Sequence, residues 1–278
     1  MAQTFTHTLA TESARFAEVL DRTDPDADVP TCPDWNADDL LWHLTEVHAF
    51  WARILHTGAM TDEEVEAVEA AKPARPADRD AMLALFATET QALVDELRAR
   101  PDDDTPAWFW LETAQTVGST RRMQAHEATM HRIDAELTAG AAVTPLEPAL
   151  AEDAVAHAFQ AMWAWWGTLP GFTFAEVGVP VELAATDTGR RWLVQAGRWR
   201  GVGESGKSYD EPGAVLLDVA QPDATALLTA PLAEPAASVR GTAQELALWL
   251  WGRGPEPAAT GDLDALTALR TVQATGMQ

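Results

Sequence analysis

Apolar residues recur at helical spacing through the first part of the chain. Leu9, Ser13, Phe16 and Leu20 mark one helix face, which Asp24 and Pro25 close. Residues 29–35 form a proline-braced loop, Val-Pro-Thr-Cys-Pro-Asp-Trp. Asn36 then reads as an N-cap, with Asp38 and Asp39 in the first turn where the helix dipole favours acid. That helix runs to about His56, stops at Gly58, and turns Leu40, His43, Leu44, Val47, Trp51 and Leu55 inward. A short acidic helix fits residues 61–71. Asp78 caps the next, which carries Met82, Leu83, Phe86, Leu93 and Leu97 and ends at Pro101. After a loop with Trp108, Phe109 and Trp110, residues 118–138 present Met123, Glu127, Met130, His131, Asp134 and Leu137 to one side, and Gly140 ends the run. A last helix spans about 148–167, with Val155, Phe159, Met162, Trp163 and Trp166. Four main helices with offset apolar stripes predict a bundle.

The pattern changes near Gly167. Residues 180–185 and 191–195 alternate as strands around the turn Thr186-Asp-Thr-Gly, and 214–219 and 237–240 also read as strands. Helices are expected from Thr242 to Trp251 and from Gly261 to Arg270. The expected fold class is therefore mainly α plus α+β: a helical bundle over residues 1–170, then a small α+β domain over 171–278.

Composition narrows the partners. The hydrophobic fraction of 47% supports buried cores, and the net charge of −24 repels nucleic acid and acidic membrane surfaces. Neither is expected as a partner. Cys32 stands alone, so no internal disulfide can form. The opening residues do not read as a signal peptide, and no apolar run is long enough to span a bilayer, so a cytoplasmic location is expected. Lys72 and Lys207 are the only lysines beside many arginines, the usage of a GC-rich, for instance actinobacterial, genome.

Polar residues on apolar faces carry the candidate chemistry. His43 sits between Leu40 and Val47. Glu127 and His131, four apart, share one face of their helix. A buried carboxylate costs several kcal/mol unless paired or bound to a cation. Two imidazoles and a carboxylate match an open divalent-metal site, with Asp134 and Asp39 as outer partners for the imidazoles. Spacing alone leaves a second reading open, that of core histidines satisfied by ordinary hydrogen bonds. His48, five residues past His43, points off the ligand face and suits packing or the rim; His126 falls one residue off that face, partly exposed or in an outer shell. Cys32 reads as a buried structural thiol.

Three blocks together resemble a known family. Pro30-Thr-Cys-Pro-Asp-Trp-Asn-Ala-Asp-Asp-Leu-Leu-Trp-His-Leu is similar to the N-terminal signature of the mycothiol-dependent maleylpyruvate isomerases, within the DinB-like bundle superfamily. Residues 121–136, Arg-Arg-Met-Gln-Ala-His-Glu-Ala-Thr-Met-His-Arg-Ile-Asp-Ala-Glu, resemble its second signature. Residues 239–253, with 187–193, resemble its C-terminal, sterol-carrier-like domain. The resemblance implies zinc ligands at His43, Glu127 and His131. DinB-like relatives usually carry a third histidine at the Glu127 position, whereas this branch carries glutamate. It also implies an arginine of the C-terminal domain that reaches the active site; Arg240 is the first choice and Arg253 the second. Arg121 and Arg122 are candidates for holding a carboxylate of the thiol cofactor, or alternatively for pairing with surface acids.

The resemblance implies a metalloenzyme with a divalent ion, Zn2+ foremost, and mycothiol as thiol cofactor or cosubstrate; a monomer or dimer is expected. The thiolate adds to an electrophilic small-molecule substrate, giving either cis-trans isomerisation or S-transfer. Two rivals stand beside it. One is a non-catalytic carrier of a small apolar ligand. The other is a zinc hydrolase, for which Glu46 is the available general base.

Overall fold

The computed structural model describes residues 2–217 and 236–276, with side chains from residue 4 onward. The chain divides into two compact units, residues 1–144 and 145–278.

The first unit is built on α1 (Ala2–Leu20), α2 (Ala37–Thr57), α4 (Arg79–Ala99) and α5 (Val117–Thr138), with the short α3 (Asp62–Ala70) between α2 and α4. Each long helix packs against two others: α1 on α5 and α4, and α2 on α4 and α5. This closes a four-helix bundle in which α2 neighbours α5. The caps are those the local sequence dictates. Asn36 and Asp39 form a reciprocal capping box on α2, and Gly58 ends the helix at φ 68°, a left-handed conformation that suits glycine. Asp78 and Thr116 accept from backbone amides at the starts of α4 and α5.

The core between the helices holds Phe16, Leu20, Leu40, Leu41, Leu44, Met82 and Phe86, all buried. Buried polar groups on α5 are tied to α1: Arg132 Nε donates to Glu12 at 2.6 Å, and Arg15 Nε to Glu136 at 3.0 Å. These ion pairs fix how α5 is rotated, which is what turns Glu127 and His131 toward α2. The loop between α1 and α2 is also ordered by its backbone. Val29 N–H donates to Trp35 O, Cys32 N–H to Val29 O and Trp35 N–H to Cys32 O, while Val29 and Cys32 are buried.

The second unit begins with α6 (Pro148–His157), which leads through a π-helical turn (Ala158–Met162) to the short α7 (Trp165–Thr168). Its sheet contains β1 (Thr173–Glu176), β2 (Val181–Ala185), β3 (Arg191–Val202), β4 (Ser208–Leu216), β5 (Ala237–Gly241) and β6 (Ala258–Gly261). The long β3 organises it. β2 and β1 pair antiparallel with successive stretches of β3, β4 pairs antiparallel along it, β5 joins β2 in parallel, and β6 closes antiparallel on β5. The helices α8 (Ala243–Leu250) and α9 (Leu263–Gln273) pack on this sheet. At Gly261 (φ 106°) a side chain would run into the Ala236 carbonyl, so the β6–α9 junction requires glycine.

The expected fold class holds, a helical N-terminal region followed by an α+β part. The boundary expected at 170/171 does not match the observed division. The units part between residues 144 and 145 because α6 packs on α8, where Trp251 Nε1 donates to Ala154 O at 3.1 Å. The helix expected over 148–167 is correspondingly broken by the π-helical turn. Of the strand expected at 214–219, residues 218 and 219 lie outside the described residues. β1 and β6 were not anticipated; each is four residues long and shows no apolar alternation.

Candidate metal centre

His43 lies on the second turn of α2, and Glu127 and His131 lie one turn apart on α5. Their ligand atoms all fall within 4.8 Å of one another. Glu127 Oε1 is 3.3 Å from His43 Nε2 and 3.2 Å from His131 Nε2. Donors about 2.0–2.2 Å from one ion in a tetrahedral array stand about 3.3–3.6 Å apart, a spacing close to that of the two Glu127 pairs. Two neutral imidazoles and one carboxylate are a common donor set for an open zinc site.

Second contacts orient these donors. Asp134 Oδ2 accepts from His131 Nδ1 at 2.9 Å, which leaves Nε2 for the site. The Trp35 ring lies 4.7 Å from that of His43 and 6.3 Å from that of His131. Side-chain exposure falls from 28% at His43 through 15% at Glu127 to 8% at His131, so the site opens on the His43 side.

The electrostatics fit an anion held beside a cation. Burial pushes the Glu127 carboxyl up, but hydrogen bonds and charge from His131 and His43 outweigh it and hold the group well below its usual range. Burial would likewise lower His131; its bonds to Asp134 and Glu127 prevail and raise it to about 9. In the metal-free protein His131 is therefore an imidazolium that donates to both acids.

The other residues singled out by sequence fall in three groups. Asp134 is the outer partner expected for an imidazole, whereas Asp39 is not: it caps α2 and accepts from Arg75 Nη1 at 2.6 Å. His48 is a packing residue, stacked on Phe86 with Nδ1 2.8 Å from Thr90 Oγ1, and burial lowers it to about 3. His126 is fully buried with its ring 6.0 Å from Phe5, which corrects the expected partial exposure. Cys32 is buried, as a structural thiol would be. Glu46 pairs with Lys72 at 3.7 Å.

Arg121 does not reach the metal centre. It is buried near the start of α5, ion-paired with Asp103 and donating to Thr6 Oγ1 and to the Leu97 and Arg100 carbonyls. With four of its five N–H donors engaged in this way and its side chain buried, it ties neighbouring segments to the bundle. Arg122 is half-buried on the same helix. In the second unit, Arg240 is exposed on β5, its Nη2 3.5 Å from Glu182 and its Nε donating to Ser238 Oγ at 3.2 Å. Arg253 Nη1 donates to the Trp251 carbonyl at 2.6 Å. Thr31, which sequence reasoning passed over, donates to Asp134 Oδ1 at 2.6 Å. Its position within the Pro30–Trp35 block was the only available signal.

Among the described residues no helix is long and apolar enough to cross a membrane. Residues 6–136 match the model of the mycothiol maleylpyruvate isomerase N-terminal domain, and residues 149–269 match that of the corresponding C-terminal domain. No curated protein matches the chain. Two solved structures share its fold. One is a crystal structure of the mycothiol-dependent maleylpyruvate isomerase, 14% identical over 95% of both chains with a TM-score of 0.58. The other is a histidine-to-alanine variant of such an enzyme, 13% identical over 95% of both chains with a TM-score of 0.59. The two domain matches, in the family's order and over most of the sequence, place this chain in the mycothiol-dependent maleylpyruvate isomerase family.

Proposed function

We propose that the protein is a mycothiol-dependent enzyme that adds a thiolate to an electrophilic small molecule, with His43, Glu127 and His131 holding a divalent ion, Zn2+ foremost. The observation that carries this reading is the convergence of the three side chains from two neighbouring helices. When bound, the ion supplies a Lewis acid that lowers the pKa of the cosubstrate thiol. Glu127 offers the negative charge that offsets the ion. Asp134 fixes the His131 ring so that Nε2, and not Nδ1, faces the site. His43, the most exposed of the three, marks the side from which a small molecule enters.

The chemistry then follows from thiolate addition. A C–S bond forms at an electron-poor alkene carbon, and the π electrons move onto the conjugated carbonyl as an enolate. In an isomerase the former double bond rotates, the electrons return and the thiolate is expelled. In a transferase the enolate is protonated and the thioether leaves. For Arg240, with Arg253 as second choice, we propose the binding of an anionic substrate group and stabilisation of the enolate charge.

Glu46, the base that the hydrolase alternative needs, is engaged with Lys72, which favours the thiol reading over it. The test is turnover of a conjugated, electrophilic carboxylic acid with and without mycothiol. Dependence on mycothiol supports the proposal. Equal turnover in thiol-free buffer supports the hydrolase, and tight binding of an apolar ligand without turnover supports a carrier.

A further inference from the structure

We propose that Thr31 is a positioning residue of the metal centre, acting through Asp134 on His131. This rests on the reading of His43, Glu127 and His131 as ligands. Asp134 is wholly buried, yet it must hold the His131 ring against the pull of Glu127 on the other nitrogen. A carboxylate with one anchored oxygen can swing about its last torsion, and the imidazole would swing with it. Thr31 removes that freedom. Its hydroxyl donates to Oδ1 at 2.6 Å while Oδ2 accepts from His131 Nδ1 at 2.9 Å, so both oxygens are held from opposite sides.

The hydroxyl is itself held by a stiff segment. The backbone bonds linking Val29, Cys32 and Trp35 fold residues 29–35 into consecutive turns, and Val29 and Cys32 anchor them in the core. The same loop ends in Trp35, whose ring packs on His43. One loop between α1 and α2 thus braces a ligand on each helix, through a hydrogen-bond relay on α5 and through ring packing on α2. Losing an outer-shell partner of a metal-binding histidine typically weakens metal binding by about 10–100-fold.

The experiment is competitive Zn2+ titration of the metal-free full chain against a chelator, for wild type, Thr31→Val, Thr31→Ser and Thr90→Val. Circular dichroism establishes that each variant is folded. Thr90→Val is the control, because it deletes the hydroxyl 2.8 Å from His48 Nδ1, a similar buried contact outside the relay. Thr31→Val is expected to weaken Zn2+ binding about 10-fold or more, while Thr31→Ser, which keeps the hydroxyl, stays within about threefold of wild type. Thr90→Val is expected to stay within about twofold, because it leaves the Thr31–Asp134–His131 relay intact. Unchanged affinity in Thr31→Val overturns the inference, as does an equal loss in Thr90→Val, which would mean general loosening. Should Thr31→Val not fold, Thr31→Ala takes its place in the titration, and an affinity loss in Thr31→Ser equal to that of Thr31→Ala overturns the inference. A wild-type chain that binds no Zn2+ overturns the metal-site reading itself, a result distinct from all of these.

Discussion

His131 and Asp134 lie one turn apart on α5, with Nδ1 and Oδ2 2.9 Å from each other, and this contact decides which face of the imidazole the site receives. The ring has two nitrogens, and only one can face Glu127. Because Asp134 takes Nδ1, the Nε2 lone pair becomes available to a cation once its proton leaves. The same contact makes the metal-free centre basic, since it helps raise His131 to about 9.

The first prediction concerns the ligands. His131→Ala removes one donor of three and leaves Glu127 and His43 too few to hold an ion. Metal affinity is expected to fall on the order of 100-fold or more, with activity lost and helix content retained. Elemental analysis of protein purified without chelator, together with circular dichroism, checks both parts.

The second concerns pH. In the metal-free protein His131 is raised to about 9, so its stabilising contribution is complete below the ordinary histidine value of 6.5 and disappears as pH rises through about 9. Glu127 is lowered, so its contribution is present above 4.5 and disappears as pH falls. The metal-free protein should therefore lose thermal stability on going from pH 7 to pH 9.5. Metal must displace the His131 proton, so its apparent affinity should rise by about tenfold per pH unit up to about pH 9. Thermal melts and buffered metal titrations at several pH values measure the two trends.

The third separates structure from chemistry at Arg121. Its replacement by Ala leaves the Leu97 and Arg100 carbonyls and Thr6 without their buried donor, at a cost of roughly 3 kcal/mol in stability. Metal and mycothiol affinity should not change in the fraction that stays folded. Denaturant unfolding gives the first quantity and calorimetry the second.

How much of this was legible beforehand depends on the range of the interactions. The starts of α2 and α4 were readable because a capping residue signals only to amides within its own first turn, as Asn36 and Asp78 do. The convergence of His43, Glu127 and His131 was readable because a polar residue on an apolar helix face breaks a periodic pattern. The burial of Arg121 was not legible because nothing in its own helix reveals it; that comes from Asp103 and two carbonyls some twenty residues earlier. Asp39 departs from the expected role beside an imidazole because its carboxylate is taken by the Asn36 amide in the capping box and by Arg75. The unit boundary was missed because the partner of α6 is α8, far along the chain.

The fourth prediction concerns the C-terminal arginines. Arg240→Ala is expected to lower turnover by about 10²–10³, as removal of one donor to a developing oxyanion does, with metal content unchanged. Arg253→Ala is expected to act less. Steady-state kinetics with metal analysis of each variant decides between them, and full activity in both would remove the arginines from the mechanism.

The most direct test of the central claim is calorimetric titration of mycothiol into the same protein, once metal-free and once loaded with Zn2+. One equivalent of ion per chain, with mycothiol binding only to the loaded form and releasing a proton as it binds, is the predicted result. Equal binding of mycothiol to both forms, or binding to neither, would contradict it.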